Sequence, residues 1–227
     1  MKLSVIVPVL DEAEGIAAML DSLADLRARG AEVVVIDGGS HDATVELARP
    51  RADCVLSSPR GRAVQMNAGA AAASGGVLLF LHADTRLPAG ADRLLCDGLE
   101  RSGRAWGRFD VDIAGRSRFL RVIAWFMGVR SRFTGIATGD QAIFMRSAAF
   151  QAAGGFPPIA LMEDIALCKA LKRISRPLCL RERVVTSGRR WELHGIVRTV
   201  FLMWGLRLAF AFGAHPRALA RRYGYGE

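Results

Sequence analysis

The sequence has no cysteine framework. Its four cysteines, Cys54, Cys96, Cys168 and Cys179, are scattered without a CxxC pair or ligand-like spacing. That argues against a disulfide scaffold or structural zinc site and for a reducing compartment. A GxxxxGK[ST] phosphate loop is missing, which argues against an ATP-hydrolysing machine. No GxGxxG follows the first apolar run, which argues against a nicotinamide dehydrogenase. There is no internal repeat and no low-complexity linker, so the 227 residues read as one domain. The N-terminus lacks the pattern of a secretory leader, because the short run Leu3 to Leu10 meets Asp11 and Glu12 at once. A long apolar run is also missing. Residues 196–213 come nearest, but Arg198 and Arg207 interrupt them. A spanning helix needs about 20 apolar residues, and a central arginine costs about 2.5–3.5 kcal/mol. This segment and residues 119–129, flanked by Arg116, Arg118, Arg130 and Arg132, are expected to pack on the domain or lie in a membrane interface. Lysine is scarce, so the net charge of +9 is carried almost wholly by arginine. Such a charge attracts polyanions: nucleotide phosphates, an anionic membrane or nucleic acid. Nucleic acid is disfavoured, since no recognised module or aromatic–basic interleaving is present.

What is present alternates between two periods. LSVIVPV (3–9), EVVVID (32–37), DCVLSS (53–58) and VLLFLHAD (77–84) are short apolar runs of the kind that form buried strands. Between them, residues 13–28 carry Ile16, Leu20, Leu23 and Leu26 at helical spacing. A short helix is expected from Asp42 to Ala48, after the turn GGSHD, and an Ala-rich helix over 62–73. Successive βα units of this kind predict an α/β fold with a Rossmann-like, mostly parallel sheet flanked by helices. The second half differs. RFDVDI (108–113) alternates polar and apolar residues, as a strand wet on one face does. GDQAIFMR (139–146) reads as another strand, followed by a small helix and GGFPP. LMEDIALCKALKRI (161–174) has helical spacing in Ile165, Leu167, Cys168 and Leu171.

Open α/β sheets bind ligands outside the carboxyl ends of their strands. Asp11 and Glu12 follow the first predicted strand, Asp37 ends the second and Asp84 ends the fourth, so these acids share one rim. Each alone reads equally well as a helix cap or solvated turn, and for Asp11 and Asp42 that is the preferred reading. For Asp37 and Asp84 the shared rim favours ligand contact. A carboxylate there can accept hydrogen bonds from a base or ribose, or hold a hard divalent cation on a diphosphate. PRGRAVQMNAG (59–69) adds Arg60, Arg62 and Asn67 around a helix N-terminus suited to phosphate. Glu163 and Asp164 open a helix, where acids also simply favour the dipole.

Taken together, SVIVPVLDE (4–12), VVVIDGGSHDAT (33–44), LLFLHADT (78–85), GDQAIFMR (139–146), GGFP (154–157) and MEDIALCKAL (162–171) resemble family 2 glycosyltransferases of the GT-A fold. The LHADT and SGRRW wording is similar to a subgroup of small bacterial transferases associated with radical-SAM and selenium-domain proteins. The resemblance implies a nucleotide-sugar-binding half (1–104), an acceptor and catalytic half (105–192) and C-terminal amphipathic helices (193–227). It implies that Pro8, Val9 and Glu12 line the base and ribose pocket and that Asp37 binds base or ribose. The family's DxD motif falls on His82-Ala83-Asp84, so Asp84 is the implied ligand for Mg²⁺ or Mn²⁺ and His82 is a departure. Asp164 matches the catalytic base, with Glu163 and Asp140 on the acceptor side. Arg190 and Trp191 match part of a [QR]xxRW motif, with Ser187 at its first position, which implies a diphosphate contact for Arg190.

The expected reaction is inverting, metal-assisted transfer of a hexosyl group from a nucleotide-diphosphate sugar, a UDP-sugar by family habit, to a hydroxyl acceptor that is lipid-linked or soluble. A cytoplasmic location, with peripheral contact on the inner membrane face, goes with it. Two alternatives stand beside this. A nucleotidyltransferase also uses acids and a divalent cation, but normally shows a Gly/Arg/Lys-rich loop after its first strand, where this chain has PVLDEAEG. A non-catalytic protein that kept the fold is the other.

Overall fold

The computed structural model describes residues 1–224. The expected C-terminal segment, 193–227, is covered up to that point, and its last three residues lie outside the described residues. Strands β1 (Leu3–Val9), β2 (Glu32–Asp37), β3 (Cys54–Ser57) and β4 (Val77–Phe80) pair in parallel in the order β3-β2-β1-β4. The continuous apolar runs of β1, β2 and β4 follow from burial on both faces: Val33 to Ile36 and Val77 to Phe80 are all buried, whereas β3 at the sheet edge is half-buried to exposed.

Four more strands extend this sheet beyond β4: β7 (Phe144–Arg146), β6 (Trp106–Ala114), β8 (Leu178–Ser187) and β5 (Thr85–Arg86). This half is mixed. β7 is antiparallel to β4 and β6, β6 is parallel to β8, and β5 is antiparallel to β8. Helices α1 (Ile16–Asp21), α2 (Ala24–Ala28), α5 (Ala91–Ser102) and α6 (Phe119–Thr134) build one core with Leu20, Leu23, Leu95, Leu99 and Phe109. On the opposite face α4 (Arg62–Ala72), α7 (Ser147–Ala152) and α8 (Glu163–Ile174) enclose Met66, Phe80, Phe150, Phe156 and Leu167. A third cluster joins Leu161, Met162 and Ile165 at the head of α8 to Leu206 of α10 (Ile196–Ala211) and Leu219 of α11 (Pro216–Tyr223). The short helices α3 (Thr44–Ala48) and α9 (Arg189–His194) complete the chain.

The structure corrects four local expectations. The helix over 13–28 is divided, because Ser22 Oγ donates to the Met19 carbonyl (2.5 Å) and competes with the helical ladder. The fourth strand stops at Phe80, so Asp84 sits in the turn between β4 and β5 rather than at a strand end. The strand expected over 139–146 opens instead as a 3-10 turn, Gly139–Gln141, and Ala142 at φ 46° delays β7 to Phe144. Finally, the polar face of β6 is wet only in part, with Asp110 and Asp112 half-buried. Arg108 on that face is fully buried, and Asp110 accepts from both Arg108 and Arg132 of α6. The Arg108 guanidinium also donates to the Gly128 carbonyl in α6 (3.1 Å). Period-two alternation shows which residues share a face; it does not show whether water or a helix covers it.

The sheet's second half depends on a close backbone approach at Gly107. A Cβ there would lie 2.5 Å from the Leu178 carbonyl oxygen of β8 and 2.6 Å from the Phe144 ring. Gly107→Ala is therefore expected to lower stability by about 1–3 kcal/mol through overpacking. Denaturant unfolding checks this, and an unchanged midpoint would contradict the packing described.

Candidate active site

The loops after β1 and β2 are stitched together by side chains. Asp37 accepts from the backbone N–H groups of Gly39 (3.0 Å) and Ser40 (3.1 Å) and from Ser40 Oγ (2.5 Å), so it shapes the GGSHD turn. Asp11 accepts from the His41 N–H (2.8 Å), and Asp42 accepts from the Ala13 N–H (3.0 Å). The Glu12 N–H donates to Thr44 Oγ1 (2.8 Å). Gln65, which the sequence gave no reason to single out, lies beneath both loops. Its Nε2 donates to the carbonyls of Val9 (2.8 Å) and Ile36 (2.9 Å) from a buried position. The Glu12 carboxyl is held above its ordinary range. Burial raises it most, Asp84 and Asp42 add to the rise, and Arg189 and His82 oppose it. Glu12, Asp42, Asp84 and His82 are thus electrostatic neighbours on one rim.

The second half of the site meets this rim at Gly139. His82 packs against Gly139 so closely that a Cβ at 139 would collide with its imidazole. The Gly139 N–H donates to Asp164 Oδ2 (3.0 Å), and the Ile165 N–H donates to Asp164 Oδ1 (2.7 Å). His82 Nδ1 lies 3.4 Å from Asp140 Oδ1. Asp140 keeps 45% of its side-chain surface open. Burial among protein atoms pushes its carboxyl up, but the hydrogen bond and charge of His82, with Arg62 and Arg130, bring it below its ordinary value. The adjoining pair behaves oppositely. Burial raises both Glu163 and Asp164 above the usual carboxylate range, against the pull of Arg62, whose Nη1 lies 3.8 Å from Glu163 Oε1. A cavity of about 10 Å³ lies between these groups, lined by Arg62, His82, Gly139, Glu163 and Asp164 among others. Met162, immediately before Glu163, is a buried non-glycine residue at φ 71°. Such backbone strain is held only where the surroundings over-determine it.

The other expected site residues are placed as follows. Pro8 is half-buried at the end of β1, and Arg60 is exposed on the loop before α4. Val9 and Ala83 have side chains in the core, so only their backbone can face a ligand. Both ends of the Asn67 amide are engaged by Phe156: Nδ2 donates to its carbonyl (2.8 Å) and Oδ1 accepts from its N–H (2.9 Å). Asn67 therefore clamps the GGFP loop instead of facing a nucleotide. Arg190 turns away from the rim. Its guanidinium lies 3.6 Å from the centre of the Tyr223 ring and donates to the Tyr223 carbonyl, so the expected diphosphate contact is spent on α11. Trp191 packs against the core cluster of the sheet. The neighbouring Arg189 is the arginine that reaches the rim, with Nη2 4.0 Å from Glu12 Oε2.

Asp84 is exposed and accepts through Oδ1 from Thr85 Oγ1 (3.2 Å) and Thr186 Oγ1 (3.5 Å). Thr186 belongs to β8, a strand that the sequence pattern did not reveal. Among the described residues no group of three or more His, Cys, Asp or Glu side chains is arranged to hold a metal ion. The donor set at Asp84 fits a different kind of site, in which one carboxylate shares the cation with substrate phosphates and water.

The family model described as Glycosyl transferase family 2 matches residues 4–153, more than half of the chain. No curated protein matches the chain by sequence. Among solved structures, residues 1–349 of S. aureus TarS are 20% identical at a TM-score of 0.66, over 83% of this chain and 61% of that one. The mannosyltransferase PcManGT from Pyrobaculum calidifontis, solved with GDP-Man and Mn²⁺, is 21% identical at a TM-score of 0.65, over 99% of this chain and 69% of that one. Glucosyl-3-phosphoglycerate synthase from Mycobacterium tuberculosis, solved with Mn²⁺, UDP and glucosyl-3-phosphoglycerate, is 19% identical at a TM-score of 0.58, over 82% of this chain and 70% of that one. The chain spans about three-fifths of the TarS structure that it matches. At these identities the likeness is one of fold.

The burial of Glu163 at the head of α8 has a measurable consequence. A carboxyl whose folded pKa is raised weakens the fold above that pKa, and the penalty disappears as pH falls to its unfolded value. Glu163→Gln removes this penalty. The variant is expected to melt higher than the parent chain near pH 8, with the gap closing as pH falls toward the ordinary glutamate range. A thermal midpoint measured across pH tests this; a gap that is constant or widens with acid would refute the burial assigned to Glu163.

Proposed function

From the premise that the chain belongs to glycosyl transferase family 2, we propose that it transfers a hexosyl group from a nucleotide-diphosphate sugar to an acceptor hydroxyl, with inversion at the anomeric carbon. The observation that carries this reading is Asp164, a half-buried carboxylate that accepts from the Gly139 N–H and whose pKa the partial burial holds above its ordinary value. A base whose pKa approaches the working pH is the better proton acceptor. TarS has been solved with UDP and with UDP-GlcNAc, and PcManGT with GDP-Man, which supports a nucleotide-sugar donor here. Two of these complexes are with UDP compounds, in line with UDP as the nucleotide.

In this reading Glu12 and Asp37 accept hydrogen bonds from the base and ribose. Arg60, Arg62 and Arg189 offset the negative charge that builds on the departing diphosphate. Asp84 would hold Mg²⁺ or Mn²⁺, which when bound supplies charge neutralisation at the diphosphate. Asp164 takes the proton from the acceptor hydroxyl. The acceptor oxygen forms its bond to the anomeric carbon while the bond to the diphosphate oxygen breaks and its electron pair leaves with the nucleoside diphosphate. The His82–Asp140 pair steadies the loop that carries the Gly139 N–H, and so orients Asp164. The wording of residues 81–85 and 187–191 supports placement in the subgroup associated with radical-SAM and selenium-domain proteins.

Two variants test these roles. Asp164→Asn is expected to lower the transfer rate by about 10²–10⁴-fold, the usual worth of a general base, while UDP still raises the thermal midpoint. Full activity in that variant would sink the assignment. Asp84→Ala is expected to abolish the extra stabilisation that Mn²⁺ gives in the presence of UDP; an undiminished Mn²⁺ effect would remove Asp84 from the cation site. Release of pyrophosphate in place of UDP would overturn the reaction class.

A further inference from the structure

Two helices expose apolar stripes that no part of the described chain covers. α6 buries Leu120, Ala124, Gly128 and Ser131 against the sheet. Its other face carries Val122, Trp125 (60% exposed), Phe126 (57% exposed) and Phe133. α10 buries only Thr199 and Leu206 and exposes Val197, Phe201 (70%), Trp204 (66%) and Leu208. These last four recur at i, i+4, i+7 and i+11, one stripe along a single face. The helices are tied to one another at both ends. Arg116, just before α6, donates its N–H to Glu192 Oε1 of α9 (2.8 Å), and α9 leads into α10. Ile136, just after α6, packs in the same cluster as Leu202 and Leu206 of α10. The two stripes therefore belong to one side of the molecule.

Within the two segments the exposed charge has one sign. Residues 115–134 expose Arg116, Arg118, Arg121 and Arg132, the last paired with Asp110, and residues 195–224 expose Arg198, Arg217, Arg221 and Arg222; neither segment contains an acid. That pattern selects between occupants. A second copy docked by a two-fold contact would set arginine against arginine. An anionic bilayer presents acyl chains to Trp and Phe and negative headgroups to arginine. No helix among the described residues is long and apolar enough to cross a membrane. We infer that the α6–α10 face is an interfacial docking surface, which seats this protein on the headgroup region of an anionic membrane with Trp125, Phe126, Phe201 and Trp204 inserted. This inference stands independently of the transfer chemistry proposed above.

The test is flotation of the purified full chain with phosphatidylcholine vesicles that contain or lack phosphatidylglycerol. The chain is expected to float with the anionic vesicles, with a blue shift in tryptophan emission, and to stay behind with the neutral ones at high salt. Phe201→Ser combined with Trp204→Ser is expected to weaken vesicle affinity by at least about tenfold, with an unchanged circular dichroism spectrum and thermal midpoint, because neither side chain is in the core. Arg198→Gln is expected to cost about fivefold at low salt and little at high salt. No flotation with anionic vesicles, or equal flotation by the double variant, overturns the inference. So does a dimer by light scattering that the double variant dissociates, since the face would then belong to a second copy.

Discussion

The contact on which the site depends is the one between His82 and the bare Cα of Gly139. It joins two halves of the chain that follow different rules. His82 comes from the loop that leaves the parallel strands, and Gly139 comes from the 3-10 turn that opens the mixed strands. Because Gly139 has no side chain, the imidazole lies against the backbone, and its Nδ1 meets Asp140 on the next residue. The same Gly139 N–H fixes Asp164. One small residue therefore sets the distance between the rim that carries Asp84 and Asp164 at the head of α8. The familiar acid at the position of His82 would place a second negative charge beside Asp140. An imidazole there brings a donor instead, and it offsets the burial of Asp140.

Much of the fold was legible because three of the first four strands, β1, β2 and β4, obey a strong rule. A strand buried on both faces must be apolar throughout, and residues 3–9, 32–37 and 77–80 leave no other reading. Where a strand's surroundings are mixed, the pattern fades. β8 reads LCLRERVVTS, with charges that reach solvent from a strand whose Val184 and Thr186 are buried. Nothing in its spacing separates it from a loop. β6 was legible as a strand but not in its full environment, since the Arg108–Asp110–Arg132 network covers part of the face that the alternation gives to water. The site divides likewise. Asp37, Asp84, His82 and Asp164 stand in recognisable wording, whereas Gln65, Arg189 and Thr186 become visible only when the chain folds.

Arg190 and Asn67 show how the fold can engage side chains whose wording suits a ligand. Each stands in a segment whose chemistry suits phosphate or nucleotide. The fold uses each as a brace, Arg190 on Tyr223 and Asn67 on the Phe156 backbone. A side chain with its donors and acceptors already engaged inside the protein can reach a ligand only by giving those bonds up, and a buried polar group left unpaired costs about 1–3 kcal/mol. Arg189, one position earlier, has 61% of its side-chain surface exposed and only a long contact to Glu12. It can turn to a ligand at little cost.

The same accounting sorts the acids on the rim. A carboxylate offers about four acceptor sites. Asp37 takes three different donors from residues 39 and 40, and Asp42 takes donors from Ala13 and Thr44, so much of their capacity shapes loops. Asp84 has only two hydroxyl donors, both at Oδ1 and both at 3.2 Å or longer. Glu12 is raised by burial and by its acidic neighbours, which marks a local excess of negative charge. An excess of that kind persists when something positive arrives to meet it. Asp84 keeps acceptor capacity that Asp37 and Asp42 have spent on their loops. The shared rim pointed to Asp37 and Asp84 and left Asp11 and Asp42 as caps or turns; the hydrogen bonds already made show how much of each carboxylate is still open to a ligand.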